Sequence, residues 1–176
     1  MTTYTDEIDS LVKDWFRRCR ESQMVHYEYA SKLSKRHITF GCLSMVFSTI
    51  VGTAVFSSWE SSANSESVRI LLGMLSVTAA TLAALQTFLN YAEKTANHKN
   101  TGALYGALRR DLELLKTIPP VTSEEMSEKL IEFKSMMDKL ALDSPGVPSK
   151  FKKIIDKRLK IRNHERVINL YSSDAD

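Results

Sequence analysis

Residues 38–59 read ITFGCLSMVFSTIVGTAVFSSW and residues 70–92 read ILLGMLSVTAATLAALQTFLNYA. Neither stretch contains Asp, Glu, Lys or Arg. At ~1.5 Å of rise per residue, about 22 residues of helix cover roughly 33 Å, enough to cross a bilayer's hydrocarbon core. A core helix of a soluble protein rarely runs so far without a charge. The two runs therefore predict an all-α membrane protein built on a two-helix transmembrane hairpin.

The rest of the chain is strongly charged. The whole has 176 residues, a formal net charge of +3, 6 Gly, 4 Pro and 2 Cys. That charge is too mild to imply nucleic-acid binding by itself, and so few Gly and Pro favour long helices over strands. Cys19 falls in a charged segment and Cys42 inside the first span, so the two are not expected to pair; a reduced cytoplasmic face fits. The first 37 residues are polar, with acids at Asp6, Glu7 and Asp9, unlike a cleavable signal peptide.

Charge distribution sets the expected orientation. Lys32, Lys35, Arg36 and His37 precede the first span, and Glu93, Lys94, His98 and Lys99 follow the second, whereas the loop from Glu60 to Arg69 has a single base. Lys and Arg collect on the cytoplasmic side. Both termini are thus expected in the cytoplasm of a multi-pass protein of the bacterial inner membrane, with Trp59 at the outer interface and Tyr91 at the inner one.

Outside the spans, helical periodicity predicts a cytoplasmic helical bundle. Residues 1–37 read as an amphipathic helix with Thr5 as N-cap and Ile8, Leu11, Val12, Trp15, Cys19, Val25, Tyr29 and Leu33 on its apolar face. Residues 38–92 form the hairpin. Residues 93–176 form the helical region, in which the second span continues without a break to Pro119 and Pro120. Ala96, Ala103, Leu104, Ala107, Leu108, Leu112 and Leu115 mark the apolar face of that long helix. Thr122 with Glu125 three residues on forms a capping box for a helix carrying Met126, Leu130, Phe133, Met137 and Leu140. Pro145, Gly146 and Pro148 end it, and Ser149 caps a last helix to about Leu170, before a short acidic tail.

The second span has two faces. Leu71, Leu75, Leu82, Leu85 and Leu89 lie on one, and Gly73, Ser76, Ala80, Ala83, Thr87 and Asn90 on the other. A stripe of small and weakly polar residues suits close helix packing. It equally suits the lining of a multi-chain pore, where hydroxyl and amide oxygens replace part of an ion's hydration. In the first span Gly41, Ser44, Ser48 and Gly52 suggest tight packing against the second. Two spans cannot enclose a channel alone, so a water path requires a homo-oligomeric ring. About four or five copies would suit a narrow path, a tetramer among them.

Reactive chemistry is not expected. His26, His37, His98 and His164 show no metal-ligand spacing, and there is no Cys-x-x-Cys, His-Glu-x-x-His or Gly-rich phosphate loop. The chain reads as a non-enzyme without metal or cofactor. The unusual charged feature is the last helix, where Lys150, Lys153, Lys157 and Lys160 share one face opposite Phe151, Ile154, Ile155 and Leu159. That face suits solvent, anionic lipid headgroups or the phosphates of a nucleotide or oligonucleotide. Lys99, Arg109 and Arg110 on the preceding long helix could join the same ligand site.

The order of elements, with Tyr91-Ala92-Glu93-Lys94, His98, Gly102, Tyr105 and Leu108-Arg109-Arg110 on the long helix, resembles the SLATT family of bacterial two-span effector domains over about Leu11 to Leu142. The resemblance implies a membrane pore that depolarises or kills a phage-infected cell, with a partner nucleotidyltransferase supplying a nucleotide signal. The chain differs from fused members in having no recognisable nucleotide-sensor domain. Two functions follow as expectations. One is a nucleotide-gated oligomeric pore acting in anti-phage defence. The alternative is a non-conducting, membrane-anchored interaction module that recruits a protein or lipid partner.

Overall fold

The computed structural model describes the backbone of residues 2–60 and 66–160, and side chains from Asp6 to Val55 and from Glu66 to Lys160. The expectations for Trp59, for the outer loop and for the chain beyond Lys160 lie outside the described residues. Those described are all-helical, with no strand. In order come α1 (Thr2–Glu60), α2 (Glu66–Leu89), α3 (Tyr91–Thr117) and α4 (Ser123–Asp143). A further helix, α5, covers 149–160 within the described residues.

The expected separate N-terminal helix and first span are one 59-residue helix. The chain has no proline before Pro119 and no glycine before Gly41, so nothing at Lys35–Ile38 releases the backbone. The helix also begins at Thr2, which places Thr5 inside it rather than at its cap. Conversely, the second span does not run unbroken into the long helix. Asn90 takes φ 44° between α2 and α3, and its side-chain amide donates to the Glu93 carboxylate. Asparagine tolerates the left-handed region because its short polar side chain can bond locally. The α4 start is as expected: Thr122 has φ −108° and ψ 153°, and its hydroxyl accepts from the Glu125 N–H at 3.2 Å. Ser149 lies in the first turn of α5, preceded by Pro148, whose carbonyl accepts from Phe151 N at 3.0 Å.

The contacts divide the chain into two units, 1–30 with 96–176, and 31–95. In the first, α1, α3, α4 and α5 share a core. Val12, Cys19, Tyr105, Leu108, Leu112, Leu115 and Phe133 are buried together, with Met126, Leu130, Met137 and Leu140 of α4 packed on them. Val25 meets Phe151, Ile155 and Leu159 of α5 in a second cluster. Ile154 is 45% exposed, off the expected apolar face.

The face that α3 turns to α1 is only in part the one its aliphatic residues mark: Leu108, Leu112 and Leu115 are buried there and Ala107 partly so. Ala96, Ala103 and Leu104 are exposed, while His98, Thr101, Gly102, Tyr105 and Gly106 are buried. Glycine allows a close approach here. A Cβ on Gly102 would sit 3.2 Å from the Tyr27 ring, and one on Gly106 would sit 2.5 Å from Gln23 Nε2. Notches four residues apart let two helices come closer than leucine would.

In the second unit, α2 runs antiparallel to residues 37–54 of α1. The partly or fully buried positions are His37, Phe40, Ser44, Phe47, Val51 and Ala54 on α1, with Gly41 beside them. Opposite lie Leu72, Leu75, Ala79, Leu82, Gln86 and Leu89. Both sets alternate steps of three and four, the spacing of a knobs-into-holes seam. Of the four small residues expected to pack from the first span, Gly41 and Ser44 do so, whereas Ser48 and Gly52 are exposed. Many outward-facing side chains are large and apolar: Met45 is 70% exposed, Val77 68% and Phe88 85%. These are two helices long and apolar enough to cross a membrane. Their threonine hydroxyls bond their own helix, as in Thr49 to the Met45 carbonyl at 2.9 Å and Thr81 to the Val77 carbonyl at 2.8 Å. These threonine donors are thus satisfied within their own helix in an apolar setting.

Candidate functional site

Helical spacing alone makes two candidate seams on α2, and the fold uses one. The seam against α1 takes Leu72 through Leu89. The stripe Gly73, Ser76, Ala80, Ala83, Thr87 and Asn90 is displaced from it by one residue, about 100° around the helix. All six of its residues are exposed, and a Cβ on Gly73 would meet nothing within 4 Å. The Thr87 hydroxyl donates to the Ala83 carbonyl at 3.2 Å, which turns its oxygen lone pairs outward. The result is a surface of small side chains and acceptor oxygens on an otherwise apolar helix.

The seam has a polar end. Gln86 Nε2 is 3.4 Å from His37 Nδ1, and a Cβ on Gly41 would lie 3.2 Å from the same amide nitrogen. One heptad away the Ser44 hydroxyl donates to the Ala79 carbonyl at 3.3 Å. Phe40 and Tyr91 stack with ring centres 6.0 Å apart.

The basic residues separate into groups. Lys150, Lys153, Lys157 and Lys160 are exposed along one side of α5, with the Lys150 ammonium 5.6 Å from the Phe151 ring centre. Arg109 does not join them. Its guanidinium lies over Phe16 of α1, at 5.9 Å, beside the cluster formed by α1, α3 and α4. The α5 helix packs around Val25, roughly 14 Å farther along α1 at ~1.5 Å per residue. Lys99 and Arg110 are exposed on α3. The expected seven-residue site is therefore distributed between α3 and α5.

What the sequence reading missed is a groove of about 570 Å³ between α1, the α4–α5 connection and α5. Arg18, Glu21, Lys152 and Asp156 bring both signs of charge to its walls, and Val25, His26 and Tyr105 line it. Arg18 is paired with Asp14 at 2.7 Å, and Arg158 reaches Glu28 at 2.9 Å. Beside the groove the Nδ1 atoms of His26 and His98 are 3.0 Å apart, with both side chains buried. Such a contact requires opposite tautomers, one ring donating N–H to the other's bare nitrogen. Tyr105 stacks on His26 at 5.8 Å between centres, and Tyr29 meets His98 edge-on at 4.8 Å. Burial, with His98 and Lys152 adding to it, pushes the His26 pKa down to about 4; burial lowers His98 as well. Both rings are neutral at pH 7.

The pair was invisible because its members are 72 residues apart. No group of three or more His, Cys, Asp or Glu side chains placed to hold a metal occurs among the described residues. Cys19 is fully buried and its thiol is pushed up to about 11 by burial, far from a nucleophile's range. Comparison of the chain with protein-family models, with curated proteins and with solved structures finds no match to any of them.

Proposed function

We propose that this chain is a pore-forming membrane effector of bacterial anti-phage defence, of the SLATT type, in which several copies assemble around a water path lined by α2. The observation that carries the reading is the open stripe from Gly73 to Asn90. The hairpin satisfies its own packing through a different seam, so the stripe is left free along the whole of α2. Hydrocarbon gains nothing from hydroxyl and amide groups, whereas water and hydrated ions do. The exposed apolar remainder of both helices suits lipid, at about 25 cal/mol per Å² kept from water. The basic flanks put both termini in the cytoplasm.

Gating is assigned to the helical body. A nucleotide or oligonucleotide made by a partner nucleotidyltransferase would meet Lys150, Lys153, Lys157 and Lys160 on α5, with Lys99 and Arg110 as further bases. Repetition of these charges around a ring strengthens their field. A ligand of this kind acts only through its different affinity for two packings of the same helices.

Ion flux through purified protein in liposomes tests the reading. Thr87→Leu is expected to reduce single-channel current while the helical content and the assembled mass stay unchanged. Absence of flux from vesicles holding the intact oligomer would support the alternative of a non-conducting anchor that recruits a partner.

A further inference from the structure

We infer that Gln86 is a positioning residue: its amide, seated between His37 and Gly41, sets the register of α2 against α1 and thereby aims the Gly73–Asn90 stripe. The consequence for current rests on the pore reading, but the register itself does not.

The seam explains why such a device is needed. Apart from Gln86, α2 contributes only leucine and alanine to it: Leu72, Leu75, Ala79, Leu82 and Leu89. Leucine and alanine at regular three–four spacing pack nearly as well after a slide of one turn or one heptad. In coiled coils a single polar residue at a seam position selects one register, because every other register strands it among apolar side chains. Gln86 fits that role. Its amide nitrogen is 3.4 Å from His37 Nδ1. The Gly41 notch leaves room for it, since a Cβ there would stand 3.2 Å from Nε2 and 3.6 Å from Oε1. The Ser44 hydroxyl and the Ala79 carbonyl, one heptad along both helices, make their link in the same register. A slide of α2 by one turn would remove the amide from both His37 and the notch.

Register and aim are one variable here. Thr87 follows Gln86 directly, and every stripe residue stands one position after a seam residue. Fixing which residues face α1 therefore fixes where the stripe points. Gln86 lies on the seam and not on the stripe, so its effect passes through the placement of the helix.

Disulfide trapping reads the register directly. In a Cys42→Ala background, Ser44→Cys with Ala79→Cys is expected to cross-link readily in native membranes, because those two residues already touch. The alternatives Ser44→Cys with Leu75→Cys or Leu82→Cys are expected to cross-link poorly. Adding Gln86→Leu should shift the ratio toward the alternatives by about three- to thirtyfold, the range spanned by a single interhelical hydrogen bond in a membrane. Gln86→Met, which keeps the length of the side chain, should do the same. The double exchange Gln86→His with His37→Gln should restore the original ratio. Helical content by circular dichroism separates a register change from unfolding. Current measured on the same variants should fall and recover with the ratio.

Unchanged 44/79 selectivity in Gln86→Leu overturns the inference, whatever happens to the current. Loss of selectivity in a protein that carries no current even when unmutated supports it and removes the pore reading instead.

Discussion

The His26–His98 contact makes stability depend on pH in a calculable way. The His26 pKa is pushed down to about 4 in the folded chain, against 6.5 for an exposed histidine. The folded state therefore binds fewer protons than the unfolded state between those values, and stability falls as pH drops through that window. The contribution is complete above the unfolded value and is not lost further below about 4. Applied between about pH 7 and about pH 5, the linkage relation gives about 2 kcal/mol. Discounted for residual solvent screening, ~1 kcal/mol is the expected loss. His98, lowered by burial in the same sense, adds to the slope rather than opposing it. Two carboxylates of the same unit titrate outside this window. Asp9 is held below its usual range by Lys13 and Lys116, and Asp14 by Arg17 and Arg18, so both titrate at more acid pH. Urea unfolding of the full chain in detergent, followed by Trp15 fluorescence from the helical body, reads the effect. His26→Phe keeps a ring against Tyr105 but cannot titrate, and it should lower stability at pH 7 while flattening the slope above pH 5. A flat profile in the unmutated chain, or an undiminished slope in His26→Phe, would refute the assignment.

Other substitutions probe the packing. Gly106→Val should destabilise the helical body by about 1–3 kcal/mol, because its Cβ falls 2.5 Å from Gln23 Nε2 and its branches have nowhere to go; Gly106→Ala should cost less, since the Gln23 side chain can swing, and thermal melts of the pair measure the difference. Leu112→Ala, at a position 1% exposed, should cost about 2–5 kcal/mol in the same melts. Thr122→Ala removes the acceptor of the Glu125 N–H and should cost about 1 kcal/mol with little change in α3 hydrogen exchange. The Arg158–Glu28 pair is exposed, so Glu28→Gln should change stability by less than about 1 kcal/mol and lose even that in high salt.

How much of this was legible in the chain depends on which forces act over short sequence distances. The absence of charge in 38–59 and 70–92 marks two apolar helices, because the requirement for length and composition is local. The Thr122–Glu125 cap and the apolar face of α4 are equally local, and the five residues named for that face are all partly or fully buried. Where the sequence reading went astray, the packing partner decided. In its first half the α3 helix offers Ala96, Ala103 and Leu104 on one side and His98, Gly102, Tyr105 and Gly106 on another. It buries the second set because Tyr27, Gln23 and His26 of α1 supply matching shapes and a hydrogen-bond partner. The buried set continues the three–four spacing of Leu108, Leu112 and Leu115, but its polar and glycine members do not mark it as apolar. Asn90 likewise lies inside a pattern that reads as continuous helix, and its positive φ is a backbone choice between two helices that both remain regular.

By itself, then, the sequence determined that the chain is helical and that two of its helices are apolar enough for a bilayer. It also showed that α2 bears a row of small and hydroxyl-bearing residues. Only the tertiary structure decided which row meets α1, since two rows one residue apart have identical spacing and an isolated helix has no reason to prefer either. It also decided that His26 and His98 share a proton site and that Arg109 stacks on Phe16 rather than joining the α5 lysines. Side chains far apart in sequence acquire a common environment only when the helices between them are packed.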